Sequence, residues 1–170
     1  MIQYRAKDTS TREMLREARV LRELCRRTCF VVNDRVDVAL AAQADGVHLG
    51  QDDLPLEAAR RILGPGKIIG MTVHTLEEAQ EAARAGADYL GVSPIFSTQT
   101  KSDAGRPAGL GLLQQIRQAI PLPLVAIGGI TLENAAEVIR AGADCVCAIS
   151  AVVKRPDVRQ AVEEFQRLFR

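Results

Sequence analysis

Apolar positions along the chain fall into short β-branched runs separated by longer stretches of helical spacing, with Gly, Pro or Asp at the junctions. The runs predict strands at Ile2–Arg5, Phe30–Asn33, Gly46–Leu49, Ile68–Thr72, Tyr89–Ser93, Leu124–Ile127 and Cys145–Ser150. A helical pattern follows each. The first, Thr11 to about Arg27, opens with Ser10-x-x-Glu13, a capping-box signature. The others are Val36–Ala42, Pro55–Leu63, Leu76–Ala85, Leu112–Ala119, Glu133–Ala141 and Pro156–Phe169. Pro55 and Pro156 suit first turns, where no N–H is needed.

Strands alternating with helices imply βαβ units and a parallel sheet. One unit is written three times: Ala42-Gln43-Ala44-Asp45-Gly46-Val47, Ala85-Gly86-Ala87-Asp88-Tyr89-Leu90 and Ala141-Gly142-Ala143-Asp144-Cys145-Val146. In each, a helix ends, a small residue turns the chain and Asp precedes a strand. Gly86 and Gly142 fit the position after a helix, where positive φ is cheap for glycine. The repetition suits an α/β fold of the (β/α)8 TIM-barrel type, which has eight units. Seven βα units are visible. The chain opens inside a strand, and Gly128-Gly129 with Ser150 would fit the phosphate loops after strands seven and eight. The first, N-terminal unit is therefore expected to be missing.

Composition bounds the rest. With 170 residues, 47% of them hydrophobic, the chain is expected to form one barrel domain over 1–170, N-terminally incomplete. A net charge of +1 gives no broad field for nucleic acid. No apolar run approaches a membrane span, and the N-terminus does not read as a signal peptide, so a cytoplasmic protein is expected. Cys25 and Cys29 are i,i+4 on a helix, and Cys145 and Cys147 are i,i+2 on a strand. Neither spacing is that of a zinc or redox site.

Several strand ends carry chemistry. Gln3, Arg5 and Lys7 alternate, so an extended chain would put them on one face, either meeting an anion or solvated at a sheet edge. Asn33-Asp34 and Asp52-Asp53 follow neighbouring strands. Their carboxylates suit Mg2+ together with diphosphate oxygens, although an Asx turn or N-cap explains Asp34 and an N-cap ahead of Leu54-Pro55 explains Asp53. The two histidines, His48 and His74, lie at or past strand ends, as acid/base groups or as hydrogen-bonded structural residues. The stretch from Ser93 to Pro107 is the longest irregular one and offers Thr98, Thr100 and Lys101. Gly128-Gly129-Ile130-Thr131 and Ile149-Ser150-Ala151 read as phosphate loops or as tight turns.

Together, Gln3-x-Arg5-x-Lys7, Asn33-Asp34-Arg35-Val36-Asp37, Gly46-Val47-His48-Leu49-Gly50-Gln51-Asp52-Asp53, Pro94-Ile95-Phe96-x-Thr98-x-Thr100-Lys101 and Ala126-Ile127-Gly128-Gly129-Ile130 resemble the thiamine-phosphate synthase family over essentially the whole chain. The resemblance implies a (β/α)8 transferase. It would couple a hydroxymethylpyrimidine diphosphate with a thiazole phosphate to give thiamine monophosphate and pyrophosphate. It implies that Gln3, Arg5, Lys7 and Asn33 hold the pyrimidine diphosphate and that Asp34 and Asp53 bind Mg2+. Thr72 would stand near the diphosphate, where the family commonly has serine. Thr98, Thr100, Gly129, Ile149 and Ser150 would take the thiazole phosphate, and Lys101 would serve the diphosphate. Arg5, Lys7, Thr72 and Lys101 are then the catalytic set. Ser93 and Ser97 stand where the family often has Gly and Pro. The expected partners are those two small molecules, with no nucleic acid or membrane; a homo-oligomer remains open. A thiazole tautomerase-like isomerase and an inactive phosphate-binding paralogue are the alternatives.

Overall fold

The computed structural model describes residues 1–98 and 105–169. The chain divides into two compact units, Met1–Thr72 with Ala82–Asp88, and Val73–Glu81 with Tyr89–Arg170. Strands and helices alternate up to a closing pair of helices, and the strand pairs within each unit are parallel, so the fold is α/β.

The first unit carries β1 (Ile2–Tyr4), α1 (Thr11–Leu24), β2 (Phe30–Asn33), α2 (Val36–Ala41), β3 (Gly46–Leu49) and α3 (Leu56–Leu63). β4 (Ile68–Val73) and α4 (Leu76–Arg84) contribute residues to both units. Register runs Ile2↔Phe30, Val31↔Gly46 and Gly46↔Ile68. Every residue of β2 and β3 is buried, as expected of strands covered on both faces. β1 differs: Ile2 and Gln3 are exposed and only Tyr4 is buried. The Tyr4 hydroxyl donates to Glu17 on α1 at 2.5 Å. Burial, and then that carboxylate, push the phenol up to about 12.

The second unit carries β5 (Tyr89–Val92), α5 (Gly109–Ala119), β6 (Leu124–Ile127), α6 (Leu132–Arg140), β7 (Cys145–Cys147), α7 (Ser150–Val153) and α8 (Val158–Arg167). Its register runs Leu90↔Leu124 and Val125↔Cys145, over a core that includes Leu90, Leu113, Ile116 and Leu124.

The boundaries depart from expectation where caps decide them. β1 stops at Tyr4, and β7 stops at Cys147 rather than Ser150. α1 ends at Leu24, three residues before Arg27, and α5 starts at Gly109, three before Leu112. Pro55 is the N-cap of α3, and Pro156 precedes Asp157, which caps α8 by accepting from the Gln160 N–H. The capping box of α1 is half formed. Ser10 Oγ accepts from the Glu13 N–H, but the Glu13 carboxylate turns to Arg16. Gly86 and Gly142 take positive φ, 88° and 113°, as their place after a helix requires.

The threefold repeat has a physical basis that its sequence shows only in part. Asp45 Oδ2 accepts from the Phe30 N–H (2.8 Å) and from Arg22 (3.0 Å). Asp88 Oδ2 accepts from the Ile69 N–H (2.7 Å) and from Arg60 (2.6 Å). Asp144 Oδ2 accepts from the Leu124 N–H (2.8 Å) and from Arg117 (2.8 Å). Each arginine lies on the helix before the strand whose first or second N–H is held, so one carboxylate ties helix, strand and turn together. Asp88→Ala leaves the N–H of fully buried Ile69 without that acceptor, and we expect a loss of about 2 kcal/mol in denaturant unfolding. Glu23→Ala, which breaks a fully exposed pair with Arg26, is the control and should leave the midpoint unmoved.

Candidate active site

The C-terminal ends of parallel strands share one edge of a sheet, and in the first unit that edge collects the polar residues. Asp34 follows β2 directly. Its N–H donates to His48 O (2.8 Å), extending the ladder with β3 by one step, and the Arg35 N–H turns back to Asn33 O (2.7 Å). The turn puts Asp34 at φ 63°, left-handed backbone that costs about 1–2 kcal/mol for a residue other than glycine. Strain of this kind gathers at functional sites. After β3, Asp53 Oδ2 accepts from the Gly50 N–H at 2.7 Å and closes the loop on itself.

The Asp34 and Asp53 side chains hydrogen-bond to each other. Burial, followed by the Asp53 hydrogen bond and charge, pushes the Asp34 carboxyl up to about 6, against a pull downward from Lys7 and Arg5. Neither residue caps a helix, since Arg35 holds that position for α2 and Pro55 for α3. The capping explanation therefore falls away for both. Two neighbouring carboxyls, half-buried and with Lys7 and Arg5 acting on Asp34, make a hard oxygen donor set. Among the described residues no cluster of three or more His, Cys, Asp or Glu could hold a metal. A cation taking two carboxylates here would complete its shell with water or substrate oxygens, the habit of Mg2+.

Arg5 and Lys7 are exposed and lie beyond β1, with a bend at Lys7, so the strand does not carry them along one face as expected. Both are nonetheless near enough to act on Asp34. Gln3 is exposed on β1, and Asn33 is buried at the end of β2. Thr72 is buried near the end of β4. Its hydroxyl lies 2.7 Å from His48 Nε2, and its carbonyl accepts from Gln51 Nε2 at 2.6 Å. The sequence alone leaves His48 between two roles and singles out nothing for Gln51 beyond its place beside Asp52-Asp53.

In the second unit, β5 runs into a cis Ser93-Pro94 peptide. His74 donates from Nδ1 to Ser93 O at 2.5 Å, and its own N–H donates to Glu78. Ile95 and Phe96 continue the ladder onto Ile127 O (2.8 Å) and Gly128 O (3.1 Å). The far end of the excursion is tied back by Ala108 N to Pro94 O and Gly109 N to Ile95 O. Thr98 is half-buried in this segment, whereas Thr100 and Lys101 lie outside the described residues. Gly128 and Gly129 have φ 99° and 66°. A methyl on Gly129 would stand 2.6 Å from Ser97 O and 2.7 Å from Phe96 Cβ. The glycine pair is thus required by close packing of the β5 segment, whatever ligand it meets. At the start of α6, Asn134 accepts from the Thr131 N–H and donates to Gly129 O. Ile149 and Ser150 are exposed at the start of α7.

The four cysteines are free thiols, with Cys25 buried and Cys145 exposed. Among the described residues no helix is long and apolar enough to cross a membrane.

The family model for thiamine monophosphate synthase matches residues 1–152. Over 170 residues the chain is 55% identical to the thiamine-phosphate synthase of Chloroflexus aurantiacus, covering 99% of this chain and 78% of that one. It is 52% identical to the thiamine-phosphate synthase of Methanosarcina barkeri, covering 100% of this chain and 78% of the other. The solved thiamine phosphate pyrophosphorylase from Pyrococcus furiosus superposes with a TM-score of 0.92 at 48% identity, over 99% of this chain and 81% of that one. A 3-hexulose-6-phosphate synthase, 16% identical with a TM-score of 0.72, shares the fold alone.

Proposed function

The chain belongs to the thiamine monophosphate synthase family, and on that premise we infer that it joins a pyrimidine diphosphate to a thiazole phosphate, forming thiamine monophosphate and releasing pyrophosphate. The observation that carries the residue assignment is the Asp34–Asp53 carboxyl pair, with Arg5 and Lys7 acting on it. We assign Asp34 and Asp53 to Mg2+. When bound, the ion supplies positive charge to the diphosphate oxygens as the leaving group forms.

The chain's own residues do the positioning. Arg5 offers a planar fork and Lys7 a point charge to an anion whose charge grows as the C–O bond breaks. Thr72 adds a hydroxyl, and Gln3 and Asn33 orient the pyrimidine. Thr98, Thr100, Gly129, Ile149 and Ser150 take the thiazole phosphate, and Lys101 serves the departing diphosphate. Loss of that group leaves a resonance-stabilised pyrimidine-methyl cation, which the thiazole nitrogen attacks. No protein nucleophile is needed. The fold that goes with this reading is an eight-unit (β/α) barrel, read as one domain, of which the described residues carry seven strands. The greater length of its relatives supports it.

Incubating the chain with both substrates and Mg2+ and measuring thiamine monophosphate tests the reading. Lys101→Ala should slow coupling by at least about tenfold, the value of one hydrogen bond to a charged group. A rate near that of the wild type would remove Lys101 from the assignment. Thiazole phosphate that binds without any product would instead favour the inactive paralogue. Isomerisation of a thiazole phosphate with no pyrimidine present would favour the tautomerase-like alternative.

A further inference from the structure

Thr72 is gripped at both of its polar ends from one neighbouring segment, by His48 at the hydroxyl and by Gln51 at the carbonyl. His48 is 4% exposed and Thr72 8%. The pairing His48↔Gly70 between β3 and β4 fixes how far the imidazole reaches along the next strand, so the contact is set by backbone register.

A threonine hydroxyl has one proton to give. Were His48 Nε2 to accept that proton, none would remain for an anion. With Nε2–H as donor, the hydroxyl accepts from the imidazole and its own proton can point at an anionic oxygen. We propose that His48 is a positioning residue that donates from Nε2–H to Thr72 Oγ1 and so turns the Thr72 hydroxyl proton toward the diphosphate. No proton moves in this role; the imidazole keeps its own. The inference rests on the reading above, which puts Thr72 beside the diphosphate.

The test is a double-mutant cycle read by pyrophosphate affinity, measured calorimetrically with Mg2+, alongside steady-state coupling. Thr72→Val and His48→Leu should each weaken pyrophosphate binding about tenfold, with the KM for the thiazole phosphate unchanged. The double variant should lose no more than Thr72→Val alone. His48→Gln, whose amide N–H can replace Nε2–H, should recover most of the affinity, whereas His48→Asn, one carbon shorter, should not. That pair keeps the comparison available if His48→Leu fails to fold. Losses that multiply in the double variant, or wild-type affinity in His48→Leu and His48→Asn, would overturn the proposal. Absence of coupling by the wild-type chain, with the pyrophosphate pattern intact, would defeat the synthase reading and leave the His48 assignment standing.

Discussion

Asp34→Asn should slow coupling by about a hundredfold or more while raising the protein's stability at neutral pH. The rate falls because an amide cannot replace a carboxylate's charge at a cation, and losing one electrostatic stabiliser of a developing charge typically costs that much. Stability rises because the native pair is strained electrostatically. The Asp34 carboxyl goes from 3.8 to about 6 on folding, so the folded protein holds the proton more tightly than the unfolded chain. Its contribution is fully present below pH 3.8 and is lost as pH climbs through about 6. For a half-buried group that loss is about 1–3 kcal/mol once solvent screening is allowed for. Asparagine has no such titration, and its amide can donate to Asp53. Denaturant unfolding at pH 3.5, pH 5 and pH 7.5 would show the variant's gain on the wild type growing with pH, smallest at pH 3.5 and largest at pH 7.5. Added Mg2+ should raise the wild-type midpoint and leave the variant's unchanged. A variant less stable than wild type at pH 7.5, or one that turns over normally, would contradict this account of the pair.

The same pair marks what the sequence could and could not say. Asp before a helix is both a favoured cap and a favoured ligand for a hard cation, so residue type alone leaves Asp34 and Asp53 undecided. Resolution comes from backbone geometry, which puts Arg35 and Pro55 in the cap positions. The order of strands and helices was legible because it rests on local periodicity, and β2, β3 and β6 fall where the apolar runs place them. β1 is shorter than its pattern suggests, because Gln3, Arg5 and Lys7 continue the alternation whereas the chain leaves the sheet after Tyr4, which is tied to Glu17. The three Asp motifs were visible, but their partners Arg22, Arg60 and Arg117 lie more than twenty residues away, beyond any local pattern. The grip of His48 and Gln51 on Thr72 was hidden in the same way, since it depends on the β3–β4 register.

Gly46→Ala should be strongly destabilising for the addition of a single methyl. In the repeat, the residue after Asp is Gly46, Tyr89 or Cys145, so the sequence gives no sign that this position excludes a side chain. The neighbouring strand supplies the reason. Gly46 pairs with Ile68, whose N–H bonds to Asp45 O at 2.9 Å. A methyl at Gly46 would overlap the Ile68 carbonyl oxygen outright, with the carbonyl carbon at 2.7 Å and Ile68 Cβ at 2.8 Å. None of those atoms is the end of a flexible side chain, so relief means parting β3 from β4 at their first paired residues. Overpacking usually costs about 1–3 kcal/mol, and opening a ladder as well takes the expected loss to about 3 kcal/mol or more. That is a large part of the net stability of a domain this size. Gly66→Ala, where nothing lies within 4 Å, is the control and should unfold at the wild-type midpoint or slightly above it. The damage should also reach the site, because the register that Gly46 permits places His48 against Thr72. Any Gly46→Ala that remains folded should therefore bind pyrophosphate more weakly. A Gly46→Ala protein matching Gly66→Ala in both midpoint and pyrophosphate affinity would mean that the two strands stand further apart than this register allows.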